Sequence, residues 1–221
     1  KAYLQKLRQP TQKELFILSK YVQLTNKIFK LNKLNYIRTI PWLFLVSKNG
    51  LEMNMPYTLS NYIIINETQL FNLNRFEQIN RNFINTLIHE KIHIVQRINQ
   101  AKFNIFYRQY YTFLDKKIDI KDVPLQYKKI YMSNPDSNKD FWLYRINSNI
   151  YYPLLVKKGN RVKSIAVNKN RKIDLDYFKR KLNYNNHVSF YHPNEIFACT
   201  VTDMILENSI PQKYFKLLNN I

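Results

Sequence analysis

The chain has 221 residues, 45% of them hydrophobic and 15% aromatic, a composition that supports a substantial core and excludes an intrinsically disordered tail. No stretch approaches the roughly eighteen apolar residues of a membrane-spanning helix, so we expect no membrane partner. The single cysteine, Cys199, excludes an internal disulfide and a cysteine-rich structural zinc site. It is also typical of a reducing, intracellular compartment.

The net charge of +20 makes nucleic acid a candidate partner, because Lys and Arg neutralise phosphates. The basic residues, however, are spread along the chain rather than grouped in one arm. Lys, Asn, Ile, Tyr and Phe are abundant while Gly falls to 2, a bias typical of AT-rich codons. We therefore favour diffuse surface charge over a dedicated nucleic-acid site.

The first part of the chain predicts a helix followed by strands. Thr11-Gln12-Lys13-Glu14 has capping-box spacing, which predicts a helix that runs to about Asn32. Ile40–Ser47 and Tyr62–Asn66 have the composition of strands. The uncharged segment between them, Met53–Ser60, is either an edge strand or a loop.

Two helices are predicted in the middle of the chain. Asn74 with Glu77 again has capping-box spacing and predicts a long helix that ends near Ile98. A second helix, rich in aromatic residues, is predicted over Lys102–Leu114.

The last part of the chain predicts a β meander and then helices. Its strands are expected at Phe141–Ile146, Ile150–Val156 and Val162–Val167. A helix starting on an Asn cap is predicted over Asn194–Glu207, and a short helix after Pro211. Since no linker divides the sequence, we expect one α+β domain over residues 1–221, with a β insertion at about residues 137–170.

The segment His89-Glu90-Lys91-Ile92-His93 carries the clearest chemical signal. On a helix, His93 lies about 40° around the axis from His89, so both imidazoles can reach one ion. Glu90 lies about 100° from His89, where it can act on a metal-bound water instead of binding the metal. Zinc lowers the pKa of such a water, and the Glu accepts its proton. The motif therefore predicts Zn²⁺ with His89 and His93 as ligands and Glu90 as catalytic base.

The helix around this motif is apolar outside one polar sector. Thr86, Gln96 and Arg97 fall in the sector of the two histidines, and the remaining positions are mostly Ile, Leu, Val and Phe. This pattern predicts a buried helix whose polar groups face a cleft. Lys91 is the exception on the apolar side, and it must reach solvent or find a partner.

A catalytic zinc needs a third protein ligand. Glu195, at the start of the predicted last long helix, is the first choice, and His192 three residues earlier is the alternative. His187 is a weaker candidate. A Glu in a first helical turn is also common for dipole reasons alone.

Peptide hydrolysis further requires a donor for the oxyanion. Tyr191 is the first candidate because it precedes the ligand helix, and Tyr144 and Tyr152 on the meander are alternatives. For each of them an ordinary buried tyrosine is the more common role. Asn134-Pro135-Asp136 could line a substrate cleft, although a plain turn is the favoured interpretation.

The segment from Thr86 to His93, followed by Asn194-Glu195-Ile196-Phe197-Ala198, resembles the gluzincin zinc metallopeptidases. These include lethal-factor-like toxins, which have a related Glu-x-Phe-Ala ligand helix, and the pairing is also similar to predicted HExxH peptidases of large DNA viruses. The resemblance implies a zincin-like fold with a small N-terminal sheet, an active-site helix and a third-ligand helix after the β insertion. It implies zinc held by His89, His93 and Glu195.

Two features depart from that resemblance. Such families often place an acidic residue four positions after the ligand Glu, to orient a His, and here that position is Cys199. The separation of His93 from Glu195 is also long, and the β insertion would account for it.

The leading hypothesis is a metallopeptidase that hydrolyses peptide bonds in a polypeptide by a Glu-activated, zinc-bound water. An edge strand within Met53–Asn66 would align the substrate. The alternative is a basic nucleic-acid-associated or virion protein that retains a zincin fold with restricted or no turnover. The expected location is intracellular, in the cytoplasm or associated with a virion.

Overall fold

The computed structural model describes residues 4–75, 78–111, 113–114, 123–129, 131–132, 136, 142–146, 149–158, 161–168, 172–174 and 191–219. Over these ranges the protein is mixed α/β with two small sheets. None of the helices in this described part of the chain is long and apolar enough to cross a membrane.

The chain divides into two compact units. The first comprises Lys1–Asn99 and Val201–Ile221, and the second comprises Gln100–Thr200. The second unit is therefore inserted into the sequence of the first, and the predicted β insertion of about residues 137–170 falls inside it. The single domain predicted from the sequence stays a prediction.

The first unit contains one sheet and most of the helices. Its strands lie in the order β1-β2-β4-β3, with β2 and β4 parallel and both outer strands antiparallel to their neighbours. The strands are β1 (Leu7–Arg8), β2 (Leu43–Ser47), β3 (Tyr57–Leu59) and β4 (Tyr62–Asn66). The helices are α1 (Gln12–Leu31), α2 (Asn35–Thr39), α3 (Glu67–Arg75) and α4 (Arg81–Ile98).

The second unit contains the antiparallel sheet β5-β6-β7-β8-β9, which includes the predicted meander. Its strands are β5 (Phe113–Leu114), β6 (Leu143–Ile146), β7 (Asn149–Lys158), β8 (Arg161–Val167) and β9 (Lys172–Asp174). Its helices are α5 (Gln100–Tyr110) and α6 (Leu125–Lys128). Helix α7 (Pro193–Leu206) starts in this unit and ends in the first, which also holds α8 (Gln212–Asn219).

Helix α1 begins with the predicted capping box. The Thr11 hydroxyl accepts a hydrogen bond from the Glu14 backbone amide, and the Glu14 carboxylate accepts one from the Thr11 amide. Arg8 on β1 adds two hydrogen bonds of 2.7 Å to the same carboxylate. The Arg8 pair therefore joins the first strand to the first helix.

Helix α4 begins later than the sequence predicted. Its N-cap is Asn80, whose side chain accepts from the Phe83 amide. Asn74, the predicted cap, lies inside α3 instead, and Glu77 lies outside the described residues. The backbone amide of Asn80 also donates to the Tyr21 hydroxyl on α1, a tertiary contact that the local pattern does not encode.

Helix α4 is buried, as its apolar pattern predicted: from Leu87 to Gln96 every residue except His89 is buried. Lys91 is fully enclosed, and its ammonium donates to the carbonyls of Ile40 at 2.6 Å and Pro41 at 3.0 Å. The ammonium also lies 4.3 Å from the centre of the Trp42 ring. Lys91 has therefore found an internal partner and does not extend to solvent.

The segment that leads into β3 has an uncommon backbone. Gly50 has φ of 92°, and Glu52, Met53 and Asn54 have φ of 41°, 57° and 63°. The side-chain oxygen of Asn54 stabilises this left-handed turn by accepting from the Gly50 amide at 2.6 Å and from the Asn66 side chain at 3.2 Å. The segment Met53–Ser60, which the sequence left open, thus contains a short edge strand after a turn.

The predicted helix over Lys102–Leu114 is shorter than expected. Helix α5 ends at Tyr110, and Phe113–Leu114 forms β5, which pairs with β6. Aromatic residues satisfy both helical and strand patterns, so the pairing partner decides the conformation of the last turn.

We predict that Glu14→Gln lowers the free energy of unfolding at pH 4.5 and above, but not near pH 2. The Arg8 guanidinium lowers the pKa of Glu14 from 4.5 to about 2. The ion pair therefore stabilises the fold above pH 4.5, by about 1 kcal/mol for a partly exposed pair, and this contribution is lost as the pH falls toward 2. Denaturant unfolding of wild type and variant from pH 2 to 7 measures the difference. The exposed Glu207→Gln is the control, and a gap that persists at pH 2 would contradict the prediction.

We predict a pH dependence in the same direction for Lys91, but in an alkaline range. Burial lowers its pKa from 10.5 to about 7, although the two carbonyls and the indole ring favour the charged form and oppose part of that shift. Lys91 therefore binds its proton more tightly in the unfolded chain than in the folded protein. Because of this residue the free energy of unfolding rises from pH 7 to 10.5 and does not change with pH below 7. Lys91→Met should lack this rise in unfolding experiments, while the exposed Lys27→Met should keep it. Parallel slopes for wild type and Lys91→Met would show that the ammonium is not destabilised by burial.

Candidate metal centre

The two motif histidines form a convergent pair in the first unit. Their Nε2 atoms are 2.9 Å apart, and the two rings meet edge to face with centroids 4.5 Å apart. Two nitrogens bound to one tetrahedral zinc lie about 3.3 Å apart, given Zn–N distances of roughly 2.0–2.1 Å. The pair therefore fits a zinc ion after a small opening of the rings.

Gln96 holds the inner histidine of this pair. His93 is 2% exposed and Gln96 is 1% exposed, and the Gln96 Oε1 atom lies 2.8 Å from Nδ1 of His93. An amide oxygen can only accept, so the ring nitrogen that faces it is the donor. With the proton on Nδ1, the neutral ring presents the lone pair of Nε2, the atom that faces His89.

Glu90 lies between the histidines on the same helix and is 4% exposed. A carboxylate that is shielded from bulk water and lies about 60° around the helix from His93 can reach the proton of a water near the pair. Its position is therefore compatible with a general base.

Arg97 connects the motif helix to the edge strand of the same unit. Its guanidinium donates to the backbone carbonyl of Ser60 and, at 2.7 Å, to the hydroxyl of Thr58. Strand β3, which contains Thr58, pairs only with β4 among the described strands. Arg97 thus fixes the edge strand against the helix that carries the histidines.

Glu195 lies in the second unit, in the first turn of α7, and is 6% exposed. A carboxylate oxygen of Glu195 lies within 4.8 Å of one from Asp136, which is 5% exposed, and within 4.8 Å of the Cys199 sulfur. We call Asp136 and Glu195 the carboxylate pair. Two buried carboxylates at this distance repel each other unless a cation or a proton compensates them.

His192 has a structural role at the start of α7. Its Nδ1 accepts a hydrogen bond of 3.1 Å from the Asn194 amide, and its carbonyl accepts the first helical bond from the Ile196 amide. His192 is therefore the N-cap of a helix that begins with Pro193, and the Asn cap predicted from the sequence is wrong. A neutral ring that accepts at Nδ1 carries its proton on Nε2, which leaves no lone pair for a metal. The cap thus argues against His192 as a ligand.

Asn194, the predicted cap, instead connects three segments of the second unit. Its side-chain oxygen accepts from the Tyr107 hydroxyl at 3.0 Å, and its amide nitrogen donates to the Asp136 carbonyl at 3.0 Å. Phe197 packs edge-on against Phe103, with ring centroids 5.0 Å apart. Since Phe197 lies about 160° around the helix from Glu195, the aromatic contact holds α7 on the side opposite the carboxylate.

The tyrosine candidates are distributed as follows. Tyr191 is 7% exposed and directly precedes the N-cap, whereas Tyr144 on β6 is 1% exposed. Tyr152 on β7 is half-buried against the core of the second sheet. His187, Asn134 and Pro135 lie outside the described residues.

Sequence reasoning missed two residues of these arrangements. The sequence places Gln96 in the polar sector of α4 but assigns it no role. Its position in the same sector as the two histidines was the signal that could have identified it. Asp136 had been treated as part of a turn, and no local pattern pairs it with Glu195, 59 residues later.

Comparison of the chain with protein-family models, with curated proteins and with solved structures returned no match. The interpretation of the site therefore depends on its own residues.

We predict that His192→Ala destabilises the fold by about 1 kcal/mol because the N-cap is lost. His192→Asn should restore most of that stability, since Asn is a strong N-cap, although it has no imidazole. Thermal and denaturant unfolding of the three proteins would measure this. Equal stability of the Ala and Asn variants would argue against the capping role.

Proposed function

We propose that this chain is a zinc-dependent metallopeptidase in which His89, His93 and Glu195 hold the metal. The observation that carries the proposal is the convergence of the two Nε2 atoms to 2.9 Å on a helix that is otherwise buried. The buried His93 ring is in contact with the part-buried ring of His89, and a shared ion would compensate for the desolvation of the inner ring.

The donor types favour zinc over other common cations. Imidazole nitrogens and a carboxylate oxygen are typical zinc ligands, whereas Mg²⁺ and Ca²⁺ prefer oxygen ligands alone. The carboxylate pair of Asp136 and Glu195 also favours a nearby cation, because both side chains are buried.

The third ligand in this proposal is Glu195 rather than His192. The imidazole of His192 caps α7 through Nδ1, whereas Glu195 is two residues into the helix.

A zinc ion held by these residues would supply a Lewis acid that lowers the pKa of a water and polarises a substrate carbonyl. Glu90 takes a proton from the attacking water and passes it to the amine leaving group. Gln96 keeps the His93 lone pair on Nε2, and the burial of Glu90 and His93 excludes bulk water. Tyr191 is our candidate for the oxyanion donor.

The proposed substrate is an extended polypeptide aligned by β3. This strand is antiparallel to β4, lies at the edge of the first sheet, and is fastened to the motif helix by Arg97. Main-chain groups at a sheet edge recognise an extended peptide without reading its sequence. The proposal of a zincin-like fold rests on the same arrangement. An antiparallel edge strand lies beside a parallel pair of strands, next to the helix that carries the two histidines. We further propose an intracellular location, in the cytoplasm or associated with a virion.

We predict that purified protein contains about one zinc per chain and that His89→Ala loses most of it, because two ligands hold zinc much less tightly than three. Glu90→Gln should keep the zinc and lower kcat by roughly 10²-fold or more, because the base is lost. Metal analysis and cleavage of a denatured protein substrate measure both effects. Glu207→Gln makes the same charge change at an exposed site and should leave both unchanged. Full metal content in His89→Ala would overturn the ligand assignment.

We predict a contrast between the two candidates for the third ligand. Glu195→Gln should lose zinc, because an amide oxygen is a weaker ligand than a carboxylate, while His192→Asn should retain it with its helix cap intact. Competition with a chromogenic chelator measures the zinc dissociation constants. Loss of zinc in His192→Asn together with retention in Glu195→Gln would reverse the assignment.

A further inference from the structure

We propose that Gln96 is the positioning residue for the inner zinc ligand, and that its neutral amide oxygen fixes both the tautomer and the ring plane of His93. The inference concerns the site named under the proposed function and rests on it. It stands on the Oε1 to Nδ1 contact of 2.8 Å between two side chains that are both buried.

The backbone sets this contact. Gln96 follows His93 by three residues on α4, so the two side chains lie on neighbouring parts of one helix surface. Both side chains are buried, with His93 2% and Gln96 1% exposed. The contact is therefore shielded from bulk water.

The proton count follows from this geometry. The Gln96 oxygen accepts, so His93 carries its proton on Nδ1 and has a lone pair on Nε2. In the metal-free protein the Nε2 atom of His89, 2.9 Å away, must then be the donor to that lone pair. The two motif histidines are therefore opposite tautomers in the metal-free protein, and His89 would have to release its Nε2 proton, to solvent or to its own Nδ1, before Nε2 could hold a zinc ion.

An amide gives this site a different character from a carboxylate. A carboxylate partner adds negative charge to the metal centre and strengthens the ring as a base, whereas an amide fixes the ring without adding charge. The contact of 2.8 Å between Gln96 and His93 gives the motif helix itself a residue that orients this ring.

The first test uses the metal-free protein and does not depend on zinc or activity. Long-range ¹⁵N–¹H spectra of protein labelled at histidine report which ring nitrogen carries the proton, and His93→Asn assigns the His93 signal by its loss. We expect the Nδ1–H form for His93 and the Nε2–H form for His89. In Gln96→Met, which keeps the length of the side chain without its oxygen, His93 should lose this preference. An Nε2–H form of His93 in the wild type would overturn the proposal.

The second test measures zinc affinity by chelator competition. Gln96→Met should weaken binding by about 10- to 100-fold, while Gln96→Glu, which retains an oxygen acceptor, should bind at least as well as wild type. The same substitution at an exposed site, Gln78→Met, is the control. Equal affinities for wild type and Gln96→Met would contradict the proposal, as would equal losses in the Met and Glu variants.

The two tests separate this inference from the proposed function. If neither the wild type nor any variant binds zinc, the metallopeptidase proposal fails. The tautomer of His93 still decides the role of Gln96 in that case. If Gln96→Met does not fold, the wild-type spectrum and the Gln96→Glu affinity decide it.

Discussion

From Leu87 to Gln96 every residue of α4 except His89 is buried, so the polar groups of this stretch need partners inside the protein. An unpaired polar group in such a place costs about 1–3 kcal/mol, which is a large part of the stability of a domain. His93 meets Gln96 and His89, Lys91 meets two carbonyls and an indole ring, and Arg97 meets the edge strand. These contacts fix the histidine pair, the sheet edge and the segment after α2 relative to one helix. The candidate site is thus a consequence of how the core is built.

The same rule governs the start of α7 in the second unit. There His192 caps the helix, and Asn194 joins α5 to the segment that contains Asp136. Their hydrogen bonds hold the first turn of the helix, where Glu195 is buried next to Asp136. In a chain with a net charge of +20, these two carboxylates are buried rather than exposed.

Local patterns predicted the elements whose determinants lie within one turn. The capping box at Thr11 and Glu14 is one example, and the strand over Tyr62–Asn66 is another, since both depend on neighbouring residues. The start of α4 was predicted wrongly, because Asn74 has capping-box spacing with Glu77 whereas the structure starts the helix at Asn80, whose amide donates to Tyr21 on another helix. The end of α5 was wrong for a related reason, since β5 exists only because β6 is there to pair with it.

By itself the sequence determined the i, i+4 spacing of His89 and His93 on a helix that is apolar outside their sector. Helical periodicity is a local property, so the burial of α4 and the convergence of the two rings could be read from it. Only the tertiary structure decided which groups the buried polar side chains contact. It made His192 a helix cap, gave Lys91 the carbonyls of Ile40 and Pro41, and brought Asp136 next to Glu195. Each of these roles depends on a group that is distant in sequence or on a hydrogen-bond direction, and residue spacing encodes neither.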